Sequence, residues 1–478
     1  MSSSSSSPSL PSSSLEPDGR PTDPVQESNP PLDPRHSRDA RDPRGLHLAI
    51  SRQVDRDLGI RGQIALPCNP EAIDANVNGL VRAFRLLGRS FTEAEVATLK
   101  QQVAEVVTES ETELSVNSLA IAYTAAGTGL HYRVAKSSAV LDTVAFRGAI
   151  MIPAIPSLRD GFCQRLLTLF ALLDRPVSEE DAQALRQLLD RELKRAYEAT
   201  PHARVSIRYE STSPPEKRVA CNIESTMIGL TPRAESLLEQ KPDYLESLAP
   251  HTKITELLAA GDLPLDGEAL VVGVATAQYA LPLAAEGWEV TALDLAAPFV
   301  ERLDELALAC GGKITALYSN LLQPEVTLKP EVCNVAIVHN FATRMQSTLL
   351  LRELLLKLLP ALQPKGFGAI ELFVPLGDYE PDAIAREAAR ASGSTIFTRQ
   401  DIARACQGLP LTAIELTHHL AYEAKHRPES APPLESSYIL WASGRQVFAM
   451  ETPPIALHWL TFRRTEAPMP ALAMIPEA

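Results

Sequence analysis

The spacing of hydrophobic residues predicts a mainly helical first half of the chain. Apolar positions recur at helical spacing over residues 71–107 and again over residues 158–196. Between these segments, residues 114–156 mix short apolar runs with glycines, and residues 203–223 are typical of a β-hairpin around a Ser- and Pro-rich turn. We therefore predict an N-terminal accessory domain of mixed, mainly helical α+β type over residues 46–228.

In the second half, short apolar runs alternate with helical patterns. This alternation predicts a parallel β-sheet with helices on both faces over residues 229–443. The last two strands are joined by a polar, Pro-rich link that favours an antiparallel hairpin, and we expect residues 444–478 to be a Pro-rich extension packed on the surface. The predicted strands are 269–272, 290–295, 313–318, 332–338, 366–374, 411–421 and 437–443.

The turn after the first of these strands predicts a nucleotide-type cofactor. The strand ends at Gly273 in a run of small residues, a helical pattern follows, and the next apolar strand is closed by Asp294. In such a βαβ unit the tight turn brings backbone N–H groups to the ligand, and the acidic residue accepts hydrogen bonds from ribose hydroxyls. A nicotinamide cofactor would satisfy Asp294 equally well, but the chain lacks a Gly-x-Gly-x-x-Gly turn.

This stretch resembles motif I of the class I S-adenosylmethionine-dependent methyltransferases, most closely their small-molecule branch, which includes the tellurite-resistance-type enzymes. The family's Gly-x-Gly-x-Gly turn matches Gly273, Ala275 and Ala277, so two of its three glycines are alanine here. The resemblance covers roughly residues 254–443 and implies a Rossmann-like class I methyltransferase sheet. It does not reach the first half of the chain.

The resemblance also implies a set of site residues. S-adenosyl-L-methionine would lie at the ends of the first strands, with an adenine contact after the third and a histidine facing the transferred methyl group as a general base. Purely structural roles are the alternatives: Asp294 could cap a helix, Asn320 could cap a loop, and His339 could make a structural hydrogen bond. The implied residues are Gly273, Ala275, Ala277, Asp294, Leu295, Asn320, Leu321 and His339.

The composition of the chain indicates which classes of binding partner are compatible with it. The 478 residues are long enough for two domains, and residues 1–45, rich in Ser, Pro and Asp, are typical of a disordered tail. A net charge of −14 disfavours nucleic acid, whose affinity depends on Lys and Arg, and favours a small neutral or cationic substrate. No apolar run is long enough to cross a bilayer.

Cysteine and histidine patterns predict no metal site. The six cysteines are far apart, without Cys-x-x-Cys spacing, which fits a reducing cytoplasmic environment. His418 and His419 would point to opposite faces of a strand, and with His426 they are expected to be surface histidines.

The sequence therefore predicts methyl transfer from S-adenosyl-L-methionine to a small-molecule or natural-product acceptor. The N-terminal domain would help to select the substrate or form a homodimer, so a fragment starting near Leu248 is expected to keep cofactor binding but lose turnover. Ala275, Ala277 and Val271 each depart from the family's cofactor loop, which leaves a non-catalytic binding or scaffold protein as the alternative.

Overall fold

A computed structural model describes residues 43–466 of the chain, with short internal gaps. The predicted tail lies outside the described residues except for its last three positions, which begin the first helix. The gaps are residues 69–72, 87–88, 111–116, 127–128, 142–143, 200–202, 213–217, 227–228, 261–262, 264–266, 310, 312, 430 and 432.

The first half contains a six-stranded antiparallel sheet in the order β3-β2-β1-β4-β5-β6. Helices pack against it to form a hydrophobic core, so the predicted α+β character is confirmed. The strands are β1 (Gly59–Pro67), β2 (Ser118–Ala126), β3 (Gly129–Ser137), β4 (Ala145–Pro153), β5 (Arg204–Ser211) and β6 (Val219–Thr226). The helices are α1 (Pro43–Asp57), α2 (Ile73–Leu86), α3 (Glu93–Ser110), α4 (Arg159–Leu172) and α5 (Glu179–Ala199).

Strand β1 was not predicted, and its glycine explains why. Gly62 occupies a position between the buried residues Ile60 and Ile64, where an apolar side chain would complete the strand pattern. A Cβ atom at Gly62 would lie 2.4 Å from the hydroxyl oxygen of Tyr123, so the tyrosine of the neighbouring strand fills this space. The side chain that fills the core at Gly62 therefore belongs to the neighbouring strand. As a result, the apolar residues of β1 do not alternate regularly in the sequence, and the pattern does not predict a strand.

The second half contains a seven-stranded sheet in the order β12-β13-β11-β10-β7-β8-β9. The five strands from β11 to β9 are parallel to one another, and β13 runs antiparallel to both of its neighbours. The strands are β7 (Glu268–Gly273), β8 (Glu289–Asp294), β9 (Ile314–Tyr318), β10 (Cys333–His339), β11 (Leu362–Pro375), β12 (Leu411–His418) and β13 (Ile455–Arg464).

Helices cover both faces of this sheet, as predicted. One face packs against α6 to α9 and the other against α10 and α12. The helices are α6 (Leu230–Gln240), α7 (Thr252–Ala259), α8 (Ala277–Ala285), α9 (Ala297–Ala309), α10 (Leu350–Ala361), α11 (Ala383–Ala391), α12 (Arg399–Cys406), α13 (His419–His426) and α14 (Ser436–Ala442). None of the helices within the described ranges is long and apolar enough to cross a membrane.

The prediction for the final strand was wrong. Residues 437–442 belong to helix α14, whereas the last strand, β13, lies inside the predicted surface extension and is buried almost throughout. Short apolar runs do not distinguish a helix from a strand. Strand β13 contributes Trp459 to the core on the α8 face of the sheet and Leu460 to the core on the α10 face, so both of its faces are buried and it lacks the alternation of a half-exposed strand.

The two halves share one hydrophobic core. Ala385 of α11, together with Phe448 and Leu457, belongs to the same buried cluster as the apolar residues of α1 and α4. Polar contacts also cross the boundary: the backbone N–H of Ser157 donates to the Glu387 carboxylate at 2.6 Å. The halves are therefore packed together as one body.

Candidate functional site

The sheet brings three predicted residues together at one edge. Gly273, Asp294 and His339 are the last residues of the adjacent strands β7, β8 and β10. In the strand register Gly273 pairs with both of the others. The chain reverses its strand order between β7 and β10, and open α/β sheets bind ligands at such a point, beyond the carboxyl ends of the strands.

The glycine at this edge is required by the neighbouring strand. A Cβ atom on Gly273 would lie 1.6 Å from the carbonyl oxygen of His339, and the glycine has a φ of +154°. The same carbonyl accepts a hydrogen bond from the backbone N–H of Val274 at 3.3 Å. Backbone packing alone therefore explains Gly273.

The loop after β7 has an alanine, Ala275, in a backbone conformation that favours glycine. Ala275 is buried at a φ of +59°, in the left-handed region, which costs an L-residue with a Cβ about 1–2 kcal/mol. Ala277 begins helix α8, where alanine is favourable. Of the two substitutions, only the first strains the backbone.

Asp294 holds this loop in place. Its Oδ2 accepts hydrogen bonds from the backbone N–H and the hydroxyl of Thr276, at 2.9 and 3.0 Å, and its Oδ1 accepts one from the N–H of Ala296 at 2.9 Å. The residue is 1% exposed. Burial raises the pKa of Asp294 to about 6, and the hydrogen bonds from Thr276 and Ala296 oppose the rise only in part.

This pKa predicts a pH-dependent loss of stability. The folded-state pKa lies above the ordinary value of 3.8, so the native state binds the proton more tightly and the stabilisation is present at low pH. We expect it to be lost as pH rises from about 4 through 6, on the order of 2–3 kcal/mol. Urea unfolding of wild type and Asp294→Asn at pH 4 and pH 7 measures this loss. The difference in free energy of unfolding between the two proteins is compared at the two pH values, because the contributions of other titrating groups cancel in it. The wild type should lose its advantage over the variant at pH 7; an equal difference at both values would contradict the assignment.

The predicted adenine contacts have structural roles here. Asn320 Oδ1 accepts a hydrogen bond from the backbone N–H of Leu322 at 3.0 Å, which is the loop cap left open above. Leu321 is fully buried in the core on the α10 face. Leu295 is partly buried, and its N–H donates to the carbonyl of Gly273 at 2.9 Å.

The carboxyl ends of β7 and β8 are covered by other parts of the protein. Val274, Ala275 and Thr276 are all buried, and Asp294 lies close enough to Tyr244 and Arg344 to affect their titration. Burial is the main influence on both, raising the pKa of Tyr244 and lowering that of Arg344 to about 10.

A nucleoside fits the chemistry of this edge only in part. A carboxylate oxygen has two acceptor positions, and those of Asp294 Oδ2 are both occupied by Thr276. Among the residues that the structure describes, Ala296 is the single donor to Oδ1, so one acceptor position is left for a ribose hydroxyl. Contact with a cofactor therefore requires the cover over Asp294 to move.

His339 has a buried acidic partner that the sequence analysis missed. The carboxylate of Glu371 in β11 is completely buried, and its Oε2 lies 2.9 Å from His339 Nδ1. Burial alone would raise the pKa of Glu371, but His339 and His419 outweigh it and hold this pKa well below its usual value. Glu371 is the single charged residue in the apolar run 367–374, the same signal that pointed to Asp294.

The prediction of surface histidines was wrong for His419. Strand β12 ends at His418, whose side chain caps helix α13, and His419 turns inward from the first position of that helix. His419 is 1% exposed and its Nε2 lies 3.3 Å from Glu371 Oε1. His426, at the end of the same helix, is exposed as predicted.

Comparisons with known proteins give structural neighbours alone. No protein family's sequence profile matches the chain, and no curated protein matches it. Solved structures similar to part of this chain include geranyl diphosphate C-methyltransferase from Streptomyces coelicolor A3(2), at 13% identity and a TM-score of 0.34, over 45% of this chain and 79% of that one.

Two further structures show similar values. The cyclase SpnF is 17% identical with a TM-score of 0.32, over 45% of this chain and 80% of its own. A SAM-dependent methyltransferase from Methanosarcina mazei is 12% identical with a TM-score of 0.30, over 44% and 97%. The observed sheet, with five parallel strands and the antiparallel strand β13 between β11 and β12, agrees with the Rossmann-like α/β sheet expected from the sequence.

Proposed function

We propose that the protein transfers a methyl group from S-adenosyl-L-methionine to a small-molecule acceptor. The supporting observation is that Gly273, Asp294 and His339 converge on the switch point of a class I methyltransferase sheet. The geranyl diphosphate C-methyltransferase named above was solved with S-adenosyl-L-homocysteine. Asp294 Oδ1 and the N-terminus of helix α8 would hold the cofactor.

The chain's own residues then have distinct tasks. The cofactor, when bound, supplies an electrophilic methyl group. His339 accepts the proton that the acceptor loses, and the buried carboxylate of Glu371, 2.9 Å from His339 Nδ1, stabilises the imidazolium that forms. Methyl transfer otherwise needs mainly alignment of the two reactants, so no further nucleophile is required.

The N-terminal half contributes to the acceptor side of this site. The C-terminal end of α5 reaches the loop that follows His339: Gln346 Nε2 donates to the carbonyl of Ala199 at 3.2 Å. Nearby, the guanidinium of Arg390 lies 4.1 Å from the centre of the Tyr197 ring. We propose that α5 and residues 375–400 select a small neutral or cationic acceptor.

Calorimetry with S-adenosyl-L-homocysteine tests the cofactor. We expect binding by the full chain, weakened about tenfold in Asp294→Asn because a ribose hydrogen bond is worth about 1–1.5 kcal/mol. Asp304→Ala, an exposed acidic position on α9, is the matched control and should bind as wild type. No binding at millimolar ligand would overturn the proposal.

Transfer of label from S-adenosyl-L-methionine into metabolite extracts tests the reaction. His339→Ala should keep cofactor binding and reduce turnover by about 10²–10⁴-fold, the usual contribution of a general base. Turnover unchanged in that variant would assign His339 a structural role alone.

A non-catalytic scaffold is the second candidate. It is favoured by the closed edge of the sheet, where Asp294 is occupied by Thr276 and Ala296 and where Ala275 strains the loop. A nucleoside that copurifies with the protein and is released on denaturation would count against it.

A further inference from the structure

Three segments far apart in the chain bring their polar side chains to one buried point. His251 precedes helix α7, Glu371 lies within β11 and His419 begins α13. One ligand atom from each lies within 4.8 Å of the others. All three side chains are buried, at 3%, 0% and 1% exposure.

Two of the atoms that face this point have no hydrogen-bond partner. Among the described residues, neither Glu371 Oε1 nor His419 Nε2 makes a hydrogen bond, although the two atoms are only 3.3 Å apart. Buried polar atoms are nearly always paired, because leaving one unpaired costs about 1–3 kcal/mol. The two atoms face each other at ion-pair distance without the geometry of a hydrogen bond, and a cation placed between them would bind both.

The opposite side of each residue is held by a second group. His419 Nδ1 bonds the hydroxyl of Tyr438, His251 Nδ1 bonds the hydroxyl of Tyr279, and Glu371 Oε2 accepts the N–H of Asn340 at 2.9 Å. Histidines that bind metal ions typically have the other ring nitrogen hydrogen-bonded in this way, which fixes the ring.

The separation of Glu371 Oε1 and His419 Nε2 suits a small divalent cation, and the ligand atom of His251 lies within 4.8 Å of both. Zinc lies about 2.0–2.2 Å from nitrogen and oxygen ligands, so tetrahedral ligand atoms are about 3.3–3.6 Å apart. The 3.3 Å between Glu371 Oε1 and His419 Nε2 agrees with this spacing. Two histidines and one carboxylate favour a first-row transition ion over calcium or magnesium, which prefer oxygen ligands.

We propose that His251, Glu371 and His419 form a site for a divalent first-row transition ion of the zinc type. The ion would tie α7 and α13 to the central strand β11. Those helices already share one link, since the Glu423 carboxylate accepts hydrogen bonds from the N–H and hydroxyl of Thr252 at 2.6 and 2.8 Å. The proposal does not depend on methyl transfer, because it rests on binding alone.

Metal titration of the untagged full chain tests the site. After treatment with EDTA and its removal, the protein is titrated with Zn²⁺ against a chromophoric chelator, and with Co²⁺ by visible absorption. We expect one equivalent of either ion, a tetrahedral cobalt spectrum and a higher melting temperature with zinc. Glu371→Gln and His419→Gln should each bind at least about 100-fold more weakly.

His426→Gln is the matched control, since this histidine lies on the same helix as His419 and does not belong to the cluster. It should bind as wild type. Glu371→Gln keeps the side-chain shape, and circular dichroism is used to test whether each variant is folded; His251→Gln replaces either variant that does not fold. Absence of stoichiometric binding in wild type, or equal binding in the folded cluster variants, would show that these residues form a metal-free polar network and overturn the proposal.

Discussion

Removal of residues 1–247 is expected to leave a C-terminal fragment that does not fold cooperatively. Helix α11 and the segment before β13 bury their apolar faces against the first half of the chain. Without that half, a large apolar patch would be exposed to water, and such patches cause aggregation. The second-half residues buried in this shared cluster are Phe373, Ala385, Ala388, Ala389, Ile396, Ala442, Val447, Phe448, Ile455 and Leu457.

The fragment also loses apolar residues that pack against the α8 face of the sheet. Ala234 of α6 and Leu245, both removed, belong to the core on the α8 face of the sheet. The sequence predicts that a fragment starting near Leu248 keeps cofactor binding. From the structure we expect instead that this fragment does not bind the cofactor. Analytical size exclusion and thermal melting measure the outcome.

Deletion of residues 1–42 is the control for this truncation. It retains every described element and should melt at the same temperature as the full chain. A fragment from Leu248 that is monomeric, melts sharply and binds S-adenosyl-L-homocysteine like wild type would show that the second half is an independent domain.

The parallel sheet was predictable because its strands are short apolar runs bounded by turns and separated by helical patterns. Gly273 and Asp294 were found for the same reason, since each ends such a run. The strand between β11 and β12 was not, because full burial removes the alternation that marks a strand.

The residues around Glu371 were beyond the reach of sequence patterns. More than a hundred residues separate His251 from Glu371, and nearly fifty separate Glu371 from His419. The fold of the sheet brings them together. The one available signal was a charge inside an apolar strand. A carboxylate there is costly without partners, so the sequence indicates that partners exist without naming them.

Substitution of Gly273 by alanine is expected to destabilise the protein by about 3 kcal/mol or more. The added Cβ would lie 1.6 Å from the His339 carbonyl oxygen, and this atom belongs to the backbone of a central strand. Strand β10 cannot move away without breaking its pairing with β7, and alanine is also disfavoured at the φ of +154°. Urea unfolding without any ligand measures the effect.

Gly161→Ala provides the control, because nothing lies within 4 Å of the added Cβ at that exposed position of α4. It should raise the free energy of unfolding by about 0.5–1 kcal/mol, since alanine favours a helix over glycine. If Gly273→Ala is as stable as wild type without ligand but loses S-adenosyl-L-homocysteine, then the glycine serves the cofactor. Loss of stability in the ligand-free protein, with a gain in the control, would assign Gly273 to the contact between β7 and β10, and the site would then depend on this glycine through the position of His339.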